Sequence, residues 1–297
     1  MEKLLKYCLS LLLLATLFNS CDKDISNLSE AERKERSAVL YKDAESFHAG
    51  QGAPFVMTKL EEAVAMDPNN CKALRELSVA YLKRGLIDKW KIKFDKAVAC
   101  DPKIWVPWRG YLYLQFFRDY EKAIADFDAS DTLTPNFTDA PQGHSVDYWR
   151  GIAYLGLKDY ENSIKYLDRY IDEVTKENGE DWAEPTAFLY RGIAHYENKN
   201  PEAALINFDK TILYNKNKTA DGSYYKALVL FEENKNGEAK TVLNTAIENF
   251  NLGYYNKHDY TESLKQIYIQ DLENLETAIE NQYQENKQSN LNSPYGW

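Results

Sequence analysis

Residues that build catalytic and metal sites are few in this sequence, whose 297 residues include four histidines and four cysteines. No histidine pair has the spacing of a helical metal site, and no cysteine cluster has zinc-like spacing. The glycines are isolated, so they form no phosphate-binding loop. Acid pairs such as Glu61 and Glu62 are adjacent, so they point in different directions on a helix. The sequence therefore predicts a protein that is not an enzyme and has no metal or cofactor.

Glycine and proline are also scarce, at 13 and 9 residues. Their scarcity argues against an all-β protein rich in turns and against a disordered chain. Hydrophobic residues make up 44% of the sequence, which is enough for a sizeable core. The net charge of −10 disfavours nucleic acid and anionic membrane surfaces as partners, because both attract a basic face.

An apolar run near the N-terminus, residues 7–18, is too short to span a bilayer, which needs about 20 apolar residues. Two lysines precede it, as in a secretory signal peptide. Cys21, just after the run, resembles the lipidated cysteine of bacterial lipoproteins, although Phe18 and Asn19 depart from the usual residues before it. An ordinary signal peptide with a chance cysteine is the alternative.

We therefore predict a signal peptide over residues 1–20, a lipid anchor on Cys21 and a tether over residues 21–29. The stretch Asp22-Lys23-Asp24 resembles the surface-export signal of lipoproteins in one bacterial phylum. This resemblance implies a lipid-anchored location at the outer membrane or the cell surface, with the periplasmic face as the alternative.

One phrase recurs three times at a fixed interval of 41 residues, around Gly110, Gly151 and Gly192. Its middle copy reads Trp-Arg-Gly-Ile-Ala-Tyr. A second predicted helix follows each copy, and we expect its small residue to face the glycine where the two helices cross closely. These small residues are Ala123, Ser163 and Ala204. The distance from glycine to turn is nine residues in the first copy and eight in the others, so the first turn holds an extra residue.

Residues 71–104 give the most complete unit of a longer helical pattern. Its characteristic places are Leu74, Ser78, Tyr81, Trp90, Phe94, Ala97 and Pro102. With these residues the unit resembles a tetratricopeptide repeat, a helix-turn-helix of 34 residues. Trp90 is the one departure, because a small residue is expected there, and it should push the two helices apart locally.

The resemblance implies an all-α fold, an α-solenoid of about six such units with a C-terminal capping helix. The superhelix is expected over residues 30–285, with units at about 37–70, 71–102, 103–136, 144–175, 185–219 and 220–250. The cap is expected over residues 261–285, and residues 286–297 are predicted to form a loose tail.

The resemblance also implies a concave groove lined by the first helices of the units. The family's groove positions fall on Lys72, Arg75, Lys83, Tyr111, Gln115, Tyr148, Tyr196 and Tyr224. Such a groove is basic at one end and rich in tyrosine through the middle, which suits a peptide or helix. About half of the tyrosines are expected to be structural. The family's carboxylate clamp is not matched, because Val79 replaces an asparagine.

Cys71 and Cys100 lie beyond the signal segment. Outside the cytoplasm they could form a disulfide, or they could remain two buried free thiols. The sequence leaves both alternatives open.

Taken together, these patterns predict a membrane-anchored, non-catalytic repeat scaffold or adaptor in the bacterial cell envelope. Its partner would be a protein or peptide in the concave groove, and not nucleic acid. The alternative is a cell-surface lipoprotein that captures a carbohydrate or another nutrient on its tyrosines.

Overall fold

The computed structural model describes residues 27–47 and 50–291, with side chains up to residue 285. All regular structure in this part of the chain is helical, and thirteen α-helices are described. They are α1 Glu30–Ser46, α2 Pro54–Met66, α3 Cys71–Lys83, α4 Ile87–Cys100, α5 Pro102–Leu112, α6 Tyr120–Leu133, α7 Val146–Gly156, α8 Tyr160–Asn178, α9 Pro185–Glu197, α10 Pro201–Tyr214, α11 Ala220–Glu232, α12 Asn236–Asn251 and α13 Ile269–Leu291. The predicted signal peptide and the predicted lipidation site Cys21 lie outside the described residues.

The first twelve helices form six helix-turn-helix pairs, each helix packing most heavily on its partner across the turn. This confirms the predicted all-α solenoid of repeats. The chain divides into two compact units between Cys100 and Asp101, so that α1–α4 belong to the first unit and α5–α13 to the second. None of the helices described here is long and apolar enough to cross a membrane.

The first unit is built around one buried aromatic pair on α4. Trp90 and Phe94 are almost fully buried, with ring centroids 6.1 Å apart. Asn70 caps α3 by accepting from the Ala73 amide, and its side-chain amide donates to Ser37 Oγ at 2.9 Å. A disulfide joins Cys71, the first residue of α3, to Cys100, the last residue of α4, with Cα atoms 6.1 Å apart. The cross-link therefore closes one complete helix pair.

The turns of the second unit repeat one local design. Arg118, Lys158 and Lys199 each have a left-handed φ of 52–61°. Each stands directly before a residue whose side chain caps the next helix, namely Asp119, Asp159 and Asn200. Left-handed termini followed by Asp or Asn caps stop one helix and start the next after two or three residues.

The extra residue of the first copy is accommodated by a π-helical turn. After α5 the backbone continues as a π-helix over Tyr113–Phe117, which α7 and α9 lack. A π-turn holds one residue more than an α-turn, so it absorbs the insertion without moving the turn itself. The nine-residue spacing in the sequence is thereby explained.

The repeat glycines lie at helix crossings, but their closest neighbours differ from those predicted. A Cβ built on Gly151 would lie 2.6 Å from Leu167 Cγ, and one on Gly192 would lie 2.6 Å from the Phe208 ring. At Gly110 the nearest group is the Phe127 ring at 2.7 Å, with the Ala123 carbonyl oxygen at 3.1 Å. Thus Ala123 does face its glycine. Ser163 and Ala204 are buried, but a larger side chain one helical turn further along approaches the glycine more closely.

The capping helix differs from its prediction at both ends. It begins at Ile269 rather than at residue 261, and its backbone continues to Leu291, beyond the predicted end at residue 285. Its apolar face packs Leu272, Leu275 and Ile279 against α11 and α12. Residues 252–268, which we call the connecting segment, are not helical because their polar groups bind elsewhere in the unit, as described below.

Candidate functional site

The groove residues predicted in the first unit are the basic ones, all on α3. Lys72 is exposed, while Arg75 and Lys83 are half-buried. Arg75 forms an ion pair with its neighbour Glu76, which also accepts from the Gln51 amide at 2.5 Å. Part of the predicted basic character is therefore engaged within the unit.

In the second unit, three of the five predicted residues line one cleft of about 260 Å³. These are Tyr111, Gln115 and Tyr148, on α5, its π-turn and α7. The other two lie elsewhere: the Tyr196 hydroxyl donates to Glu232, and Tyr224 packs on the core formed by α11, α12 and α13. The sequence therefore predicts a groove along all the first helices, whereas in the second unit the structure brings only three of the five predicted residues into one cleft.

The floor of the cleft is aromatic. Tyr111 and Trp149 lie with ring centroids 4.8 Å apart, and Tyr148 meets Trp149 edge-on at the same separation. The Tyr148 hydroxyl is bonded to Thr186 Oγ1 at 2.8 Å, and Trp149 Nε1 donates to the Pro141 carbonyl at 2.9 Å. Because these anchors fix the rings, the floor is preorganised.

The third floor aromatic, Tyr111, is buried on α5. Its burial raises the pKa of the phenol to about 12, so the hydroxyl is protonated at neutral pH and can donate a hydrogen bond. At the edge of the cleft, the His144 ring packs at a tilt against Tyr148 with centroids 4.8 Å apart, and burial lowers the pKa of His144. The lowered pKa favours the neutral form of His144.

The other wall of the cleft is the connecting segment, which supplies Asn256, Lys257, His258, Glu262, Ser263 and Leu264. It is attached to the first helices by side-chain bonds over long sequence distances. Gln115 Nε2 donates to Thr261 Oγ1 at 2.8 Å, and Arg118 pairs with Glu262 at 3.1 Å. The segment therefore lies across the first-helix face, where the repeat resemblance predicts a groove.

Further along the same face, α9 and α11 hold the segment at its two ends. Asn256 Nδ2 donates to the Tyr190 hydroxyl at 2.9 Å. Lys265 Nζ pairs with Glu197 at 2.6 Å, and its carbonyl accepts from the Tyr225 hydroxyl at 3.1 Å. Four first helices in all, α5, α7, α9 and α11, thus surround or contact the segment.

Asp221 at the start of α11 is the most unusual group of this face. Its Oδ2 accepts from the backbone N–H of Asn256 at 2.7 Å. Its Oδ1 is buried without a hydrogen-bond partner among the described residues. Burial raises the pKa of this carboxyl to about 6, partly opposed by the Asn256 bond. Asp221 therefore binds the backbone of the connecting segment, although burying its carboxylate costs free energy of solvation.

The hydroxyl of Thr261 contacts a histidine, and this contact is part of the attachment. His258 Nδ1 accepts from the Tyr260 amide at 3.3 Å, so the Thr261 hydroxyl donates to it at 3.0 Å while accepting from Gln115. The hydroxyl is thereby fixed in both of its roles. Within the described part of the chain, no group of three or more His, Cys, Asp or Glu side chains is arranged to hold a metal ion.

Sequence reasoning missed the connecting segment, together with Trp149 and Asn256. The signal was present in the residues that break the helix after α12, where Gly253 has a φ of 81° and the aromatic and polar stretch 254–260 follows. The local sequence does not indicate which distant side chains such a stretch will bind.

Comparison with known proteins supports the repeat fold. The tetratricopeptide repeat family matches residues 145–174, which cover α7 and most of α8. No curated protein matches the chain at a significant level.

Among solved structures, PilW, a type IV pilus biogenesis factor, is similar with a TM-score of 0.55 and 18% identity, over 72% of this chain and 90% of PilW. PilF of Pseudomonas aeruginosa gives a TM-score of 0.53 and 16% identity, over 71% and 90%. A tetratricopeptide repeat protein of Parabacteroides merdae gives 0.50 and 12%, over 90% and 89%. At these identities the likeness shows the fold.

Proposed function

We propose that this protein is a non-catalytic tetratricopeptide-repeat scaffold that holds a protein or peptide partner on the first-helix face of its second unit. It is anchored to the outer membrane or cell surface of a bacterium by a lipid on Cys21. The observation that carries the proposal is the cleft formed by Tyr111, Tyr148 and Trp149, which is rigid, aromatic and open to solvent on the repeat's binding face.

The chemistry of the cleft suits recognition. Fixed aromatic rings supply contact area at low entropic cost, and the Gln115 and Asn256 amides and the Arg118 guanidinium supply hydrogen bonds around them. Gln115 and Arg118 also bond to the connecting segment, and Asn256 of that segment bonds to Tyr190. These bonds hold the walls of the cleft together. The lipoprotein resemblance at Cys21 supports the envelope location, since the surface itself is acidic and offers anionic lipids no attraction.

Site-specific photo-cross-linking in cells tests this proposal. A benzoylphenylalanine placed at Gln142, an exposed residue at the cleft, should form an adduct with one defined protein. The matched control is the same group at Leu213, exposed on the second helix α10 and away from the cleft. Adducts absent at position 142, or equal at both positions, would contradict the proposal and favour carbohydrate capture, the alternative raised by the sequence.

A further inference from the structure

The connecting segment occupies the first-helix face in the manner of a bound peptide. Between Tyr254 and Tyr268 it forms no helix, and its contacts run from α11 and α9 to the π-turn at the end of α5 and then back to α9 and α11. The Tyr254 carbonyl accepts from the Ala220 amide at 2.7 Å, and the Asn256 amide donates to Asp221. These two backbone bonds are of the kind that any polypeptide can offer, whatever its sequence.

The side chains of the segment present a definite order of chemical groups to this face. An amide at Asn256 meets Tyr190, and an aromatic ring at Tyr260 stacks near Phe116, with centroids 6.4 Å apart. A hydroxyl at residue 261 meets Gln115, a carboxylate at 262 meets Arg118, and an ammonium at 265 meets Glu197. The face therefore already has a complementary group for each of five side chains.

The attachment is polar and largely open to water. Arg118 and Glu262 are 48% and 62% exposed, and Lys265 and Glu197 are 36% and 31% exposed. Ion pairs this exposed contribute little to stability. Within the segment, Ser263 and Ile267 are the residues buried from solvent. Segments with few buried apolar contacts open locally at a low free-energy cost, well before the surrounding helices unfold.

We propose that the connecting segment is a built-in occupant of the binding face, which the partner displaces. The inference rests on the proposed function and specifies the partner's chemistry. The partner offers a non-helical stretch, folded back on itself as residues 254–265 are, in which an amide residue is followed four residues later by an aromatic one. A hydroxyl, a carboxylate and, three residues further on, an ammonium group follow it. Displacement exposes Tyr190 and Asp221, which then bind the partner's side chain and backbone.

A synthetic fluorescent peptide with the sequence of residues 254–266 provides the probe. The variant that loosens the segment is Thr261→Val with Glu262→Gln, because it removes the bonds to Gln115 and the charge facing Arg118. By anisotropy, the peptide should bind this variant about 5- to 30-fold more tightly than the natural chain, since two competing interactions of the internal occupant are lost.

Asp259→Asn is the matched control, because Asp259 is exposed in the same segment and supplies none of the contacts above. It should bind the peptide as the natural chain does, and a scrambled peptide should bind neither. The proposal is overturned when the peptide binds none of the proteins, or binds the loosened and natural chains equally.

Hydrogen exchange gives a second measurement that does not depend on peptide affinity. The Asn256 amide, although bonded to Asp221, should exchange at least 10-fold faster than the amide of Leu167, in the middle of the buried face of α8. Equal protection at the two amides would show a fixed segment and would refute displacement. A partner cross-linked at position 142 together with a fixed segment would leave the proposed function standing and this inference refuted.

Discussion

At the residue scale, the recurring phrase combines a close helix crossing with an ion pair. The arginine before each glycine reaches an acidic side chain on a second helix: Arg109 binds Asp126, Arg150 binds Asp131, and Arg191 binds Asp168, all at 2.6–2.7 Å. In the last two cases the acid belongs to the preceding repeat. The phrase therefore fixes the packing within a repeat through its glycine and often the contact between repeats through its arginine.

The glycine requirement can be tested at Gly151. Gly151→Ala should lower the free energy of unfolding by about 1–3 kcal/mol, because the new Cβ would lie 2.6 Å from Leu167 Cγ and 3.2 Å from the Leu167 backbone nitrogen. Gly237→Ala on α12 is the control, since its Cβ would meet nothing within 4 Å; it should be neutral or stabilise by up to about 1 kcal/mol. Urea denaturation measures both, and similar effects at the two positions would contradict the crossing.

The arginine requirement can be tested at Arg150, which is fully buried. It pairs with the buried Asp147 at 2.5 Å and stacks on Tyr166 at 4.7 Å. Arg150→Met should cost about 3–5 kcal/mol, because it leaves the Asp147 carboxylate buried beside a single exposed cation, Arg169. Adding Asp147→Asn should recover part of the loss.

Arg169→Met is the comparison for Arg150, because it removes a cation that binds the same carboxylate from an exposed position. It should cost no more than about 1 kcal/mol. Equal losses for the Arg150 and Arg169 variants would show that burial of the arginine contributes nothing.

At the element scale, the sequence predicted most helix pairs because their apolar periodicity, caps and turns are local. The start at Glu30 follows from the capping box of Ser29 and Glu32, and the turns at Asp119 and Asp159 follow from their caps. The start of the last helix was missed because residues 261–268 also have helical periodicity. Their bonds to Gln115, Arg118 and Glu197 override it, and such distant contacts are not visible in a local pattern.

The site was predicted only in outline for the same reason. First-helix positions come from the repeat register, so Tyr111, Gln115 and Tyr148 were found. Their neighbours depend on the path of a non-helical segment, for which periodicity gives no information. Tyr196 shows the limit of the register: the position is right for a groove, but its hydroxyl is bound by Glu232 of the next repeat.

Asp221, through which α11 binds the connecting segment, should make the free energy of unfolding depend on pH. Burial raises the pKa of Asp221 from 3.8 to about 6, so the folded protein takes up a proton relative to the unfolded chain between these values. The resulting stability is fully present below pH 3.8 and is lost as the pH rises through about 6. The loss is on the order of 3 kcal/mol.

Asp221→Asn removes this proton uptake, so the difference between the variant and the natural chain measures the contribution of Asp221. Urea denaturation of both proteins from pH 4 to 7 should show the natural chain losing stability relative to the variant as the pH rises, with no further relative change above about pH 7. Other carboxylates titrate alike in both proteins and cancel in the difference. Parallel stability curves would show that the Asp221 pKa is the same in the folded and unfolded chains.

At the scale of the whole molecule, the proposed lipid anchor has to be compatible with an acidic chain. A net charge of −10 repels anionic lipid headgroups, so attachment through the protein surface is disfavoured. A thioether-linked lipid on Cys21 would supply about 0.8 kcal/mol for each methylene buried in the bilayer, independently of the surface charge. The predicted anchor and the acidic repeat surface are therefore compatible in one chain.

Cys21→Ser should move the protein from the membrane fraction to the soluble fraction, because serine cannot carry the thioether-linked lipid. Cys71→Ser is the matched control: it breaks the disulfide to Cys100 in the first unit but leaves the predicted lipid attachment in place, so this variant should stay with the membranes. Fractionation before and after a high-salt wash, followed by immunoblotting, measures both, since salt releases proteins held by charge but not by acyl chains. Retention of Cys21→Ser in salt-washed membranes would contradict the lipid anchor.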